Sequence, residues 1–478
     1  MGNINLGEVK KIYVIGIKGS GVIAVVEILH AMGMEITGSD TSEKFFTDEI
    51  LQRLGINYHE KFDAGNVPAD ADLVLYITCY NAENNVEMAE VQKRDLPMVS
   101  YPEMVAHFFN EKYGIAVAGT HGKTTTSALL ANTLKECGVD PNAIIGSKVL
   151  NWGGNALIGQ GEFFVLEADE YQNKLRLYAP KAVILTSCDF DHPDFFADFA
   201  EYKKAFQDFV VRIPKVGFLV VWGDSTDTLE IAESCKAEVL TYGFGENNDY
   251  RISNLEFRIS NEFQNSNDQI PKQIQAFEVF YGDSSLGVFE IQLSGRHNVL
   301  NAAAVIATCN RLQIDLEKVR LALGNFQGTA RRFEYIGERN GALLIDDYGH
   351  HPEEIRATLA GARSRYPEKN IWAVFHPHTF TRTKALLSEF SQSFDAADKV
   401  IVLDIYGSAR ETQGGVHSKD LVKLIDQFGR GKAEYVPTIS EAVEYLKDKI
   451  GPDDVVITIG AGNGWEVAEK LSRPLIRT

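Results

Sequence analysis

Cysteine is scarce and scattered in this chain. Its five copies in 478 residues (Cys79, Cys137, Cys188, Cys235 and Cys309) show no Cys-x-x-Cys spacing. That excludes a thiolate metal ribbon, and the odd, widely spread count suits reduced thiols rather than a disulfide frame. Long apolar runs are missing too, since none reaches the ~18 residues of a membrane span. Positive charge is outnumbered: 47 Lys and Arg stand against 66 Asp and Glu, a net charge of −19. Nucleic-acid binders need clustered Lys and Arg, so that class is excluded, although a local basic pocket for a small anion is not. No internal repeat or low-complexity tract is visible. The opening run MGNINLGEVKKIYVIGIKGSG passes straight into a strand and a glycine loop and reads as lacking a cleavable signal. The expectation is a soluble cytoplasmic protein with neither a membrane nor a nucleic-acid partner.

What is present is ordinary globular material, with 45% hydrophobic and 24% charged residues. At this length, two to four domains are expected. KIYVIG, EITGSD and ADLVLYIT read as strands separated by helices, the mark of a parallel sheet covered on both faces. A second series begins at YGIAVAG and continues through FFVLEAD, KAVILTS and VGFLVVWGD. Between 250 and 293 the pattern turns to apolar–polar alternation, as in half-exposed antiparallel strands, around a polar loop SNEFQNSNDQIPKQ. A third series runs through ALLIDDYG, NIWAVFHP, KVIVLDIYG and DVVITIGAGNG. The fold class is therefore α/β in three domains, 1–113, 114–330 and 331–478. The first and third are Rossmann-like, and the second is P-loop-like with an antiparallel section.

The motifs lie where strands end. GTHGKTTT (119–126) places Gly119, Thr120, His121, Gly122, Lys123, Thr124 and Thr125 between a strand and a helix. Amide groups at a helix start attract phosphate, a Lys reaches terminal phosphates and a hydroxyl can ligate Mg²⁺. The loop is shorter than the usual phosphate loop, and a tight turn with an exposed Lys is the competing reading. VLEADE puts Glu167, Asp169 and Glu170 at the next strand end, where hard oxygens suit Mg²⁺ and a solvated acidic loop is the alternative. DFDHPD adds Asp191, His192 and Asp194; spacing alone reads His192 as a capping or hydrogen-bonding residue. DDYGHHPEE and FHPHTFTRTK gather Asp346, Asp347, Tyr348, His350, His351, His376, His378 and Arg382. These suit a polar substrate or phosphate pocket better than zinc. GIKGSG (16–21) departs from the dinucleotide GxGxxG fingerprint, but Asp40 ends the following strand where a ribose-binding acid belongs. A nucleoside diphosphate or NAD fits this reading.

The ordered set AGTHGKTTT, EADE, DHPD, SGRHNVLNAAA, ARRFE, DDYGHHPEEI and PHTFTRT resembles the Mur ligases, from about residue 11 to 466. The resemblance implies ATP-dependent amide formation in peptidoglycan precursor synthesis, with Mg²⁺ as cofactor. IGIKGSG, Tyr-Gly-His-His and PHTFTRTKALLSEF look most like the branch that joins L-alanine to UDP-N-acetylmuramate. The Tyr after EADE is similar instead to the branch that reattaches murein tripeptide. By the resemblance, Gly119 to Thr125, His297, Asn301, Arg331 and Asp346 serve ATP, while Thr124, Glu167 and His192 serve the metal. Gly16, Lys18, Gly19, Ser20, Gly21 and Asp40 serve the UDP-sugar, and Tyr348, His350 and Arg382 serve the amino acid. Lys123, His192, His350 and Arg382 are the implied catalytic group, with His350 or His376 as proton acceptor. A monomer or homodimer is expected. An NAD-dependent dehydrogenase and a non-catalytic nucleotide sensor are the readings from other classes.

Overall fold

A computed structural model describes residues 6–193, 195–260, 272–407, 411, 414–429 and 431–473. Three separate sheets are strung along the chain. The N-terminal sheet has five parallel strands in the order Tyr58–His59, Glu35–Ser39, Lys11–Ile15, Leu73–Tyr76, Met98–Ser100. The ten-stranded central sheet runs from Ser284–Ile291 through Lys272–Tyr281, Tyr250–Ser260, Glu238–Gly243, Phe218–Trp222 and Ala182–Leu185 to Tyr113–Ala118. It then continues through Phe163–Glu167 and Asn142–Val149 to Gly154–Leu157. In the C-terminal sheet the order is Glu334–Arg339, Ala342–Asp347, Asp454–Ile459, Asn370–Phe375, Lys399–Val402, Ala433–Tyr435, with only the first strand antiparallel.

The strands are near-continuous apolar runs because both faces are covered. Ile115, Val117, Val165 and Ile184 bury one face of the central sheet under the helices Lys123–Glu136 and Arg296–Arg311. Ala116, Ala118, Leu166 and Leu185 bury the other against Phe206 and Phe209 of the helix Phe199–Val210. The alternation read at 250–293 is a three-stranded antiparallel section, with the strands Tyr250–Ser260, Lys272–Tyr281 and Ser284–Ile291. Most of the polar loop between the first two strands lies outside the described residues. The edge strand of that section does not stand open, because Arg320 donates from Nε to the carbonyl of Val288 (2.7 Å) and from Nη2 to that of Leu286 (3.1 Å). At the opposite edge, Asn155 donates to the carbonyl of Ser20 (2.7 Å), joining the central sheet to the N-terminal unit. Seven strands escaped the sequence reading: Tyr58–His59, Met98–Ser100, Glu238–Gly243, Glu334–Arg339, Ala433–Tyr435, and the two arms of the hairpin, Asn142–Val149 and Gly154–Leu157. The turn residues Asn151-Trp-Gly-Gly-Asn155 were the available signal for the hairpin.

Topology decides where a ligand can sit. Tyr113–Ala118 is flanked by strands that follow it in the chain on both sides, and Lys11–Ile15 occupies the same place in the N-terminal sheet. Crevices open beyond the carboxyl ends of strands at such switch points. GTHGKTTT and GIKGSG both leave their strands there. No helix among the described residues is long and apolar enough to cross a membrane.

Candidate functional site

The loop at 119–122 is a tight turn that only glycine can make. Gly119 has φ 133° and Gly122 has φ 80°. A Cβ on Gly119 would fall 2.4 Å from Thr186 Oγ1, and one on Gly122 would fall 2.7 Å from Asn301 Oδ1. The helix Lys123–Glu136 begins at once, so its first amides face the turn. Lys123 Nζ donates to the carbonyls of Gly119 and Thr120 and lies 3.0 Å from Glu170 Oε2. Burial alone would lower the pKa of this ammonium, but Glu170 and Asp169 override it and hold the pKa above its ordinary value. Thr124 donates to Glu167 Oε1 (2.6 Å), and Glu167 Oε2 accepts from the amide of Gly146 (2.6 Å). Thr120 is buried and donates to the carbonyl of Asp189 (2.8 Å).

Asp169, Glu170 and His192 each turn one ligand atom to a common point, all within 4.8 Å of one another. Of the residues expected at a metal, His192 lies in this group, while Thr124 and Glu167 are bonded to each other beside Lys123. Glu170 also accepts from Tyr202 OH (2.9 Å), and His192 Nε2 is 3.7 Å from Glu170. His192 adopts φ 56°, and its ring centre is 4.7 Å from that of Tyr171. Lys174, which sequence reasoning passed over, brings its ammonium to 2.5 Å from Asp169 Oδ2. Asp194 lies outside the described residues.

Between the central and C-terminal units lies a cavity of about 370 Å³, lined among others by His121, Thr125, His297, Asn301, Arg332 and Glu354. Gly122 and Thr124 also face it. Asn301 donates to Asn298 Oδ1 (3.1 Å), which fixes its amide against the glycine turn. Arg331 and Asp346 do not line the cavity. Arg331 Nε donates to Asp346 (2.8 Å) and Nη2 to the carbonyl of Gly460 (2.6 Å), inside the C-terminal unit. Their neighbours Arg332 and Asp347 face the cavity instead, and burial pushes the Asp347 carboxyl up to about 6. Glu354, another residue not singled out from the sequence, is the hub of this wall. It accepts from the amide of His350 (2.9 Å) and meets His121 Nδ1 (3.3 Å) across the two units. Its position follows from helix capping: His351 is the N-cap, Pro352 opens the helix Pro352–Arg365, and Glu354 is the third helical residue.

A second contact across the units is fully charged. Arg382 donates from Nε (3.1 Å) and Nη2 (2.9 Å) to Asp191 Oδ1, with both side chains 8% exposed. Burial would raise the pKa of Asp191; Arg382 outweighs burial and holds it well below the carboxylate range. His350 stands 5.3 Å from Tyr348, ring to ring, and burial, with Arg382 adding to it, lowers its imidazole to about 3. Burial likewise lowers His376 to about 4, where it packs against Tyr406. The Arg331 guanidinium lies 5.0 Å from the Tyr348 ring centre.

In the N-terminal unit, Gly16 takes φ 83°, and Gly19 caps the helix that starts at Ser20. A Cβ on Gly21 would meet the Tyr101 ring at 2.8 Å. Asp40 accepts from the amide of Lys18 (2.8 Å). The Lys18 ammonium bonds the carbonyls of Thr41 (2.9 Å) and Glu43 (3.0 Å), so it pins the loop after Asp40 onto the glycine turn.

Fold and site together define a multidomain α/β nucleotide-binding enzyme, with its centre at the strand ends of the central sheet. Three family models match in chain order: Mur ligase family, catalytic domain, over residues 11–113; Mur ligase middle domain over 117–309; and Mur ligase, glutamate ligase domain, over 331–462. UDP-N-acetylmuramate–L-alanine ligase of Desulfitobacterium hafniense is 41% identical over 96% of this chain and 99% of its own. A crystal structure of UDP-N-acetylmuramate–alanine ligase from Thermotoga maritima superposes with TM-score 0.79 and 25% identity, covering 96% of this chain and 98% of that one. A murein peptide ligase from Psychrobacter arcticus shares the fold, with TM-score 0.70 at 23% identity over 97% and 98% of the two chains. The chain belongs to the Mur ligase family.

Proposed function

We propose that this protein joins L-alanine to UDP-N-acetylmuramate at the expense of ATP, through an acyl phosphate. Residues 1–113 take the UDP-sugar, 114–330 take ATP, and 331–478 close over ATP and bring the amino acid. The observation that carries this reading is the near end-to-end likeness, at 41% identity, to the D. hafniense ligase.

The geometry supports the chemistry. A sugar-borne carboxylate oxygen attacks the γ-phosphorus of ATP, and the bond to ADP breaks. The amine of the amino acid then attacks the acyl carbon and inorganic phosphate leaves. An anion meeting a polyanion needs cations nearby. Lys123 supplies one beside the glycine turn, and Asn301 and His297 form a wall for the base. The donor set of Thr124, Glu167, Asp169, Glu170 and His192 is mainly hard oxygen and fits a magnesium ion, which when bound would offset phosphate charge. Tyr348, His350 and Arg382 form the acceptor side. His350 and His376 are held neutral by burial, so each serves as a hydrogen-bond partner and is poorly matched to storing the amine's proton near pH 7. Closure of the C-terminal unit through Glu354–His121 and Arg382–Asp191 keeps water from the acyl phosphate.

The test is direct: incubate the protein with ATP, Mg²⁺, UDP-N-acetylmuramate and a panel of amines, then measure phosphate release and product mass. L-alanine is expected to be preferred. Preference for L-alanyl-γ-D-glutamyl-diaminopimelate would assign the protein to tripeptide reattachment, and nucleotide binding without any amide product would make it a sensor.

A further inference from the structure

Between the two glycine turns runs an unbroken line of charged and aromatic groups. Lys123 Nζ lies 3.0 Å from Glu170, and Glu170 shares its cluster with Asp169. Asp169 is 2.5 Å from Lys174 Nζ, and that ammonium lies 5.6 Å from the ring centre of Tyr101. Tyr101 in turn covers Gly21, at the start of the first helix of the N-terminal unit. Lys174 is thus a cation in the contact line that joins the expected sugar-nucleotide loop to the expected phosphate loop. Its side chain is 10% exposed. A lysine so placed loses most of its hydration, which a protein tolerates where the charge has a task or a firm partner.

The local backbone is unusual in the same place. Gln172 (φ 57°, ψ 24°) and Asn173 (φ 52°, ψ 40°) are successive non-glycine residues in the left-handed region. Such strain persists only where the surroundings impose it. Here Thr78 of the N-terminal unit donates to Gln172 Oε1 (3.0 Å), and Asp169 accepts from the amide of Tyr171 (3.0 Å). Together they hold the turn that aims Lys174 back toward Asp169. A purely structural ion pair on a surface would not need this turn.

We propose that Lys174 binds the sugar-borne carboxylate of the donor and carries it past Glu167, Asp169 and Glu170 to the γ-phosphate. The inference rests on the functional reading above. A carboxylate leaving the N-terminal loop must cross three acids to reach Lys123, and like charges at that range repel it. Lys174 exchanges part of its bond with Asp169 for the incoming carboxylate and lowers that barrier. No covalent bond to Lys174 forms; it acts by charge and hydrogen bonding.

A substrate-deletion cycle tests this. UDP-N-acetylmuramate and its analogue with the lactyl carboxyl reduced to a primary alcohol are titrated by calorimetry into wild type, Lys174→Met, Lys174→Arg and Lys174→Met/Asp169→Asn. The ratio of the two affinities is read for each protein, so a partly inactive preparation does not alter the result. Wild type is expected to prefer the acid by roughly 10- to 100-fold, the range of a charge-assisted hydrogen bond. Lys174→Met is expected to bind acid and alcohol alike, Lys174→Arg to recover part of the preference, and the double variant to stay without preference. Wild-type discrimination retained in Lys174→Met overturns the proposal. Discrimination restored in the double variant also overturns it, because Lys174 would then act only by neutralising Asp169. Wild type binding neither ligand would instead bring down the functional reading itself. Should Lys174→Met not fold, Lys174→Gln takes its place with the same outcomes.

Discussion

Removing Asp191 is the perturbation whose cost the structure states most openly. Its carboxylate receives two guanidinium hydrogen bonds from Arg382, 2.9 and 3.1 Å, with both side chains 8% exposed. Deleting one partner of a buried pair leaves the other charge dehydrated and costs about 3–5 kcal/mol. Asp191→Ala is therefore expected to weaken the joint between the central and C-terminal units by about that amount. Asp191→Asn, which keeps an acceptor oxygen, should cost about 1.5–3 kcal/mol. Arg382→Met alone should be nearly as costly as Asp191→Ala, because it strands the carboxylate. The double variant, carrying neither charge, should recover at least about 2 kcal/mol of the summed single costs. Urea unfolding of the four proteins, followed by C-terminal-unit proteolysis rates, measures the cycle. The sign with pH follows from the direction of the shift. Asp191 is depressed in the folded protein, so its stabilisation is complete above the unfolded carboxylate value near ~3.9 and is lost only as pH falls below it. The coupling should thus be flat from about pH 5 to 8. Single costs that add without coupling, or a coupling that fades by pH 6, would refute the reasoning.

Three further outcomes are expected. Lys123→Ala should cut ADP formation about 100- to 1,000-fold, the scale for losing one preorganised charge-stabilising donor, while calorimetry shows UDP-sugar binding unchanged. His350 and His376, lowered to about 3 and about 4 by burial, bind fewer protons folded than unfolded. Stability they support above pH 6.5 should therefore fall as pH drops toward 5, by about 2 kcal/mol each, visible as a declining melting temperature and absent in His350→Asn/His376→Gln. Thr379→Gly should raise stability by about 1 kcal/mol, since Thr379 holds φ 67° and ψ 138°, a region β-branched residues avoid. The same change should raise the KM for the amino acid, because Thr379 also caps the helix that carries Arg382.

The α/β series and the strand-end motifs were legible because periodicity and glycine placement are local signals. Glu167, Glu170, Lys123 and Asn301 could be picked out by motif, and the fold brings them to one crevice. Arg331 against Arg332, and Asp346 against Asp347, could not be told apart in this way. Asp346 and Asp347 end the strand Ala342–Asp347, where successive residues point to opposite faces, and Arg331, at φ 60°, turns the chain just ahead of the strand Glu334–Arg339, so a shift of one residue decides which of each pair meets the cavity. Lys174 was invisible for a related reason: its direction depends on the left-handed turn at Gln172 and Asn173, and a lone Asn is too weak a signal to announce two successive residues there. The pairing of Asp191 with Arg382 spans 191 positions, and no short-range pattern encodes such a partner. Glu354 is different, because the His-Pro-Glu-Glu run is a helix-start signature and its capping role was there to be read.

Ten strands make a broad ribbon, and its two rims invite recruitment of a neighbour's backbone at the concentrations of a crowded cell. One rim is closed by the chain's own first unit through Asn155 and Ser20. On the other, the Arg320 guanidinium sits on the carbonyls of Leu286 and Val288. Resistance to stacking at that rim therefore rests in part on a side chain far from any chemistry, carried by the helix Leu316–Gly324 that packs on the same strand. A variant lacking it would turn over substrate normally when dilute and cloud on concentration.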